Sequence, residues 1–269
     1  MNQSSQPLQH QIAVVTGGSG VLGSALCEAL AQAGARVVVL GRNLEKAQAI
    51  ATALPNQAIA LRCDVLDQSQ LQEARAKIHA HFGQVDILVN CAGGNTSDAG
   101  TSADRTFFEI DESAVLHMIN LNFLGTLRGC QVFGQDMVTR GSGSIVNIGS
   151  MAAFRPVTRG LGYGAAKAAV SQFTQWLAVY FAQEYNPNIR VNAIAPGFFL
   201  TEQNRYLLEN SDGTYTSRAQ SIVNHTPQKR FGVAQDLQST LLWLVDPTSA
   251  FITGTIIPVD GGFSSFSGV

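Results

Sequence analysis

The chain has 269 residues, of which 45% are apolar and only 13% charged, with 26 glycines that follow no period. This length allows one large α/β domain or two small ones, and the composition excludes disordered and collagen-like chains. Seventeen Lys and Arg against 19 Asp and Glu give a net charge of −2, without the dense basic cluster that a nucleic-acid binder carries, so the expected partner is a small molecule.

Residues 1–11 are polar, contain no Lys or Arg and read as a loose tail unlike a secretory signal. Ile12 to Thr16 reads as a buried strand, followed by a Gly-rich turn and an Ala/Leu-rich helical stretch from Val21 to Ala33. Further apolar strands are predicted at Arg36 to Leu40, Ala58 to Arg62, Asp86 to Asn90, Ser144 to Gly149, Ile189 to Ala195 and Thr255 to Val259, with helical segments between them. This alternation predicts a Rossmann-type, doubly wound parallel sheet of about seven strands with helices on both faces, in a single domain over 12–269. Two polar segments, 94–105 and 197–230, interrupt it, and each follows the C-terminal end of a predicted strand, where ligands bind in open α/β sheets. The second reads as a substrate lid.

No apolar run approaches the roughly 20 residues of a membrane-spanning helix, so no membrane association is expected. The four cysteines, Cys27, Cys63, Cys91 and Cys130, stand far apart and outside any metal-ligand spacing. Neither a metal site nor a disulfide framework is expected, which fits a cytoplasmic setting.

Gly18, Gly20 and Gly23 have Gly-x-Gly-x-x-Gly spacing within Gly17-Gly18-Ser19-Gly20-Val21-Leu22-Gly23, between a predicted strand and a predicted helix. Glycines there let the backbone approach a pyrophosphate, and the free N–H groups and dipole of the helix start stabilise its charge. At the end of the second strand, where an NAD site usually carries Asp or Glu, the chain has Gly41-Arg42-Asn43. Arg42 can pair with a 2′-phosphate, which favours NADP(H) while leaving NAD(H) open, or it can be a solvated surface arginine or stack on adenine with no phosphate. Asp64, with Val65 beside it, can accept from the adenine amine or cap a turn.

Tyr163 and Lys167 lie four residues apart on a predicted helix and share a face, where an ammonium stabilises phenolate and lowers the tyrosine pKa. Ser150, at the end of the preceding strand, can hold a substrate oxygen. Together with the Thr16-Gly17 turn, Asn90-Cys91-Ala92-Gly93 and Asn192 to Gly197, these residues resemble the short-chain dehydrogenase/reductase family over Ile12 to Gly262.

The resemblance implies that Tyr163 exchanges a proton with the substrate oxygen, that Ser150 orients it, and that Lys167 lowers the Tyr163 pKa and binds the nicotinamide ribose. It implies that Asn122, rather than Asn120, holds a water in the proton relay. Asn90, Ala92 and Gly93 would support the sheet and line the adenosine ribose; Pro196 and Gly197 would border the nicotinamide, with Ile194 and Thr201 as further contacts. One position departs: the family pattern expects glycine where Val21 stands. Homotetramers are common in the family, and the expected partners here are a carbonyl or alcohol substrate and copies of the chain itself.

Phe154-Arg155-Pro156, Phe173 to Ala178, Ala195 to Arg205 and Pro258 to Ser264 are similar to the branch of the family labelled D-mannonate oxidoreductase, or fructuronate reductase. Such a substrate is a ketone flanked by hydroxyls and a carboxylate, which calls for hydrogen-bonding side chains and a cation. Asn95, Arg155, Gln203, Asn204 and Arg205 are the candidates beside Ser150 and Tyr163, although either arginine equally fits a surface or subunit contact. His225 reads as a substrate contact or a loop anchor. The rival readings are another carbonyl substrate, such as a different keto sugar acid, a polyol or a 3-oxoacyl thioester, and a nucleotide sensor without catalysis.

Overall fold

The computed structural model describes residues 6–201 and 204–268. Strands β1 (Ile12–Thr16), β2 (Arg36–Gly41), β3 (Ile59–Arg62), β4 (Ile87–Asn90), β5 (Gly143–Ile148), β6 (Ile189–Pro196) and β7 (Ile256–Val259) form one parallel sheet in the order β3-β2-β1-β4-β5-β6-β7. β1 and β5 are buried almost throughout, as continuous Val/Ile/Ala runs covered on both faces require.

One face is covered by α1 (Val21–Gln32) and α2 (Leu44–Ala53), which pack Leu26, Leu30, Ala47 and Ala51 on Val15, Val37 and Val39. The other face is covered by α3 (Gln68–His81), α4 (Glu112–Ile119), α5 (Gly125–Arg140) and α6 (Leu161–Glu184), with Leu71, Ile78, Phe133, Met137 and Phe173 in its core. After β6 come α7 (Arg205–Leu208) and α8 (Ser217–His225), whose Leu208, Ala219, Ile222 and Val223 gather with Phe231 in a smaller apolar cluster. α9 (Gln238–Val245) then returns to the first face.

Because β4 follows β3 in sequence yet pairs with β1, the chain reverses direction across the sheet between them. That reversal opens a crevice at the C-terminal ends of the strands, where nucleotides bind in such sheets.

The predicted tail is corrected from residue 6 onward: Leu8 is 1% exposed, and its N–H donates to the Ala33 carbonyl at 3.0 Å. One leucine in an otherwise polar segment gives no periodic signal, yet it fills the gap beside the end of α1. Among the described residues no helix is long and apolar enough to cross a membrane.

Candidate active site

At the end of β1, Gly17 adopts the left-handed φ of 66°, and a Cβ there would lie 2.7 Å from Ala92 Cα. A Cβ on Gly23 would collide with the Gly17 carbonyl. These glycines let the turn fold back against the start of α1. Gly20 caps the helix in an extended conformation, no acidic residue occupies the first turn, and the first N–H groups are left for an anion. Val21 opens the helix with its side chain 42% exposed. The departure from the family pattern is therefore accommodated outward.

Ser19 lies against the end of β2: a Cβ on Gly41 would be 2.5 Å from Ser19 Oγ. Beyond it, Arg42 is exposed, and Asn43 Oδ1 accepts from Lys46 N at 2.9 Å to start α2. Asp64 Oδ1 accepts from Leu66 N at 2.9 Å, the turn-capping role, and Val65 is buried against Gly125. The Asn90 side chain does not line the crevice. It is 2% exposed and donates to Asn147 Oδ1 at 2.9 Å and to Cys130 Sγ at 3.2 Å, joining β4 to β5 and α5. Ala92 N donates to Thr16 Oγ1 at 3.2 Å, and Gly197 N to the Val259 carbonyl at 3.0 Å. Ile194 is wholly buried within β6.

Asn122, Ser150, Tyr163 and Lys167 converge. Asn122 sits in a π-helical segment, Asn120–Leu124, set between α4 and α5. Its Nδ2 donates to the Gly94 carbonyl at 2.9 Å and its Oδ1 accepts from Gly94 N at 3.2 Å. Such a bulge often re-aims a side chain at a functional site. A Cβ on Gly93 would lie 2.7 Å from Asn122 Oδ1 and 3.5 Å from Lys167 Nζ, so the absence of a side chain at Gly93 lets the two approach the same point. Lys167 Nζ donates to the Ile148 carbonyl at 2.8 Å and stands 5.7 Å from the centroid of the Tyr163 ring.

The electrostatics differ from expectation. Burial holds the Tyr163 phenol above its ordinary pKa, with a hydrogen bond to Ser150 pulling the other way. Burial also brings Lys167 down to about 8 and pushes the neighbouring Cys91 thiol up to about 11. Lys167 directs its ammonium to the backbone of β5, and burial is the largest influence on Tyr163. At neutral pH the group held ready is a neutral phenol, the form that can give up a proton.

The substrate candidates divide. Asn95 is exposed at the mouth of β4. Arg155 Nε donates to the Ser264 carbonyl at 2.8 Å, tying the loop after Ser150 to the C-terminal segment. Asn204 is spent on its own loop, accepting from Thr201 N at 2.8 Å and donating to the Phe199 carbonyl at 2.8 Å. Arg205 is ion-paired with Glu209 one helical turn on. Gln203 lies outside the described residues. His225 packs its ring on Phe263, 4.6 Å between centroids, and on Phe266, as a loop anchor would.

The sequence profile described as short chain dehydrogenase matches residues 11–212. The chain belongs to this family. It is 47% identical over 97% of its length to an uncharacterized oxidoreductase, UxuB, of Bacillus subtilis, covering 98% of that protein. The crystal structure of a Haemophilus influenza protein provisionally named D-mannonate oxidoreductase, with bound NAD, superposes with a TM-score of 0.91 at 43% identity, covering 97% of this chain and 98% of that one. A gluconate 5-dehydrogenase from Burkholderia cenocepacia, in complex with NADP and tartrate, superposes with a TM-score of 0.84 at 29% identity over 97% of this chain and 98% of its own. This short-chain dehydrogenase is thus an oxidoreductase acting on alcohol and carbonyl groups.

Sequence reasoning missed the π-helical turn that aims Asn122 and the placement of Cys91 beside Lys167. Neither leaves a signal, since a π turn continues a helical pattern and the thiol arrives beside the lysine through a long-range contact.

Proposed function

We propose that the protein reversibly reduces the ketone of a sugar acid to a secondary alcohol, with D-fructuronate and D-mannonate as the substrate pair. The observation that carries the catalytic part is the convergence of Asn122, Ser150, Tyr163 and Lys167 at the C-terminal edge of the sheet. The substrate class is supported by the likeness to the proteins named for D-mannonate and gluconate, and by a polar approach on which Asn95 is exposed.

The glycine turn and the unobstructed start of α1 fit a dinucleotide pyrophosphate, and Gly17, Gly18, Ser19, Gly20 and Leu22 would hold it. When bound, a nicotinamide dinucleotide supplies or accepts the hydride. NADP(H) is the favoured form, because no carboxylate ends β2 and Arg42 makes no ion pair among the described residues; NAD(H) also serves. Ser150 donates to the substrate oxygen and fixes its position. Tyr163 gives its phenolic proton to that oxygen in reduction and takes it back in oxidation. Lys167 and Asn122 hold the site for restoring that proton, and Lys167 would grip the nicotinamide ribose.

Homotetramers are proposed from the apolar surface left on α6: Trp176 is 52% exposed and stacks on Tyr180 with centroids 4.9 Å apart. A cytoplasmic location accords with four free cysteines.

The test follows absorbance at 340 nm with NADPH and NADH separately, against D-fructuronate, other keto sugar acids, simple ketones and an acetoacetyl thioester. Turnover of fructuronate well above the rest is expected. Turnover confined to another carbonyl would discard the substrate, and none at all despite tight cofactor binding would favour a sensor.

A further inference from the structure

Arg218 opens the second lid helix and reaches across to the loop that leads from Ser150 to Tyr163. Its Nη1 donates to Thr158 Oγ1 at 3.1 Å and its Nη2 to the Thr158 carbonyl at 3.4 Å. The next residue along that loop is Arg159, held at a left-handed φ of 66° with its carbonyl packed against Gly100. Partial burial and the charge of Arg159 both pull the Arg218 pKa down. Among the described residues neither arginine is paired with a carboxylate. Two guanidinium groups side by side repel, and an anion between them removes that cost while gaining charge-assisted hydrogen bonds.

We propose that Arg159 and Arg218 form the anion subsite, holding the carboxylate of the substrate while Ser150 and Tyr163 hold its carbonyl oxygen. This rests on the sugar-acid reading above and assigns the cation that reading requires. Arg155 and Arg205 are engaged by Ser264 and Glu209; Arg218 gives one bond from each Nη to Thr158, and each Nη carries a second N–H for a ligand. Arg159 stands two residues before the start of α6, the helix that carries Tyr163, and an extended hexuronate carries its carboxylate roughly four carbon–carbon bonds, about 5 Å, from its ketone. Since Arg218 rides on the lid and Arg159 on the catalytic loop, a bound carboxylate ties the two together. A neutral ketose leaves the arginines unsatisfied, so the pair selects acids over sugars.

Arg159→Gly suits the left-handed backbone and removes the charge, and Arg218→Met keeps the stem of the side chain. The measurements are kcat/KM for D-fructuronate and for a neutral diketone, and calorimetric affinity of D-mannonate for the protein saturated with reduced cofactor, a complex that cannot react. Each substitution is expected to lower fructuronate kcat/KM and mannonate affinity at least about tenfold and to leave the diketone within about twofold, with Arg218→Lys recovering part of the loss. Fructuronate turnover and mannonate affinity unchanged in both variants would overturn the subsite alone. Equal losses on acid and diketone would overturn it too. If the unaltered protein neither reduces fructuronate nor binds mannonate, the sugar-acid reading itself fails and takes the subsite with it.

Discussion

Lys167 gives its ammonium to the carbonyl of Ile148, 2.8 Å away, the residue that ends β5 two positions before Ser150. One hydrogen bond thus ties the helix that carries Tyr163 to the strand that delivers Ser150. The lysine pays for this seat, since burial brings its pKa to about 8.

The first prediction follows from that value. Below about 8 Lys167 is charged, and above it the proton is lost, so reductive kcat/KM should fall about tenfold per pH unit on the alkaline side. The folded pKa of about 8 lies below the ordinary 10.5, so the unfolded chain binds the extra proton between these values and folding gains stability as pH rises through them. Compared with Lys167→Met, the native protein should gain about 2 kcal/mol between pH ~7 and ~9.5. Denaturant titrations at the two pH values measure it, and a constant difference would contradict the buried, charged lysine.

Tyr163→Phe removes the phenolic proton and leaves the ring in place. Turnover should drop by at least about a thousandfold, with dinucleotide affinity within about twofold by fluorescence titration. Substantial residual turnover would move the proton donor elsewhere.

Arg42→Asp restores the carboxylate that the end of β2 lacks. The ratio of kcat/KM for NADPH over NADH should fall by about tenfold or more, through lost pairing and new repulsion of the 2′-phosphate. An unchanged ratio would detach Arg42 from cofactor choice.

Gly23→Ala drives a Cβ into the Gly17 carbonyl, whereas at Gly20 the Cβ would lie 3.3 Å from that oxygen. Gly23→Ala should therefore weaken dinucleotide binding at least about tenfold and lower the melting temperature, while Gly20→Ala has the smaller effect on both. Equal effects would mean that the turn yields rather than constrains.

The strands were legible because burial on both faces demands continuous apolar runs, and Ile12–Thr16 stands out between a polar tail and a glycine turn. Tyr163 and Lys167 were legible because a spacing of four on a helix is a local property. The same local logic missed Leu8, whose burial depends on the end of α1.

The amino-acid order by itself determined the alternating elements, the glycine turn and the identity of the catalytic candidates, since each is set by contacts within a few residues. Tertiary structure alone decided which polar groups remain for a ligand. Arg155 reaches the C-terminal segment, and the side chain of Asn90 is buried where β4 pairs with β5, bonded to Asn147. Hydrogen-bond partners so far apart in the chain meet only after the sheet has assembled, so no local pattern records them.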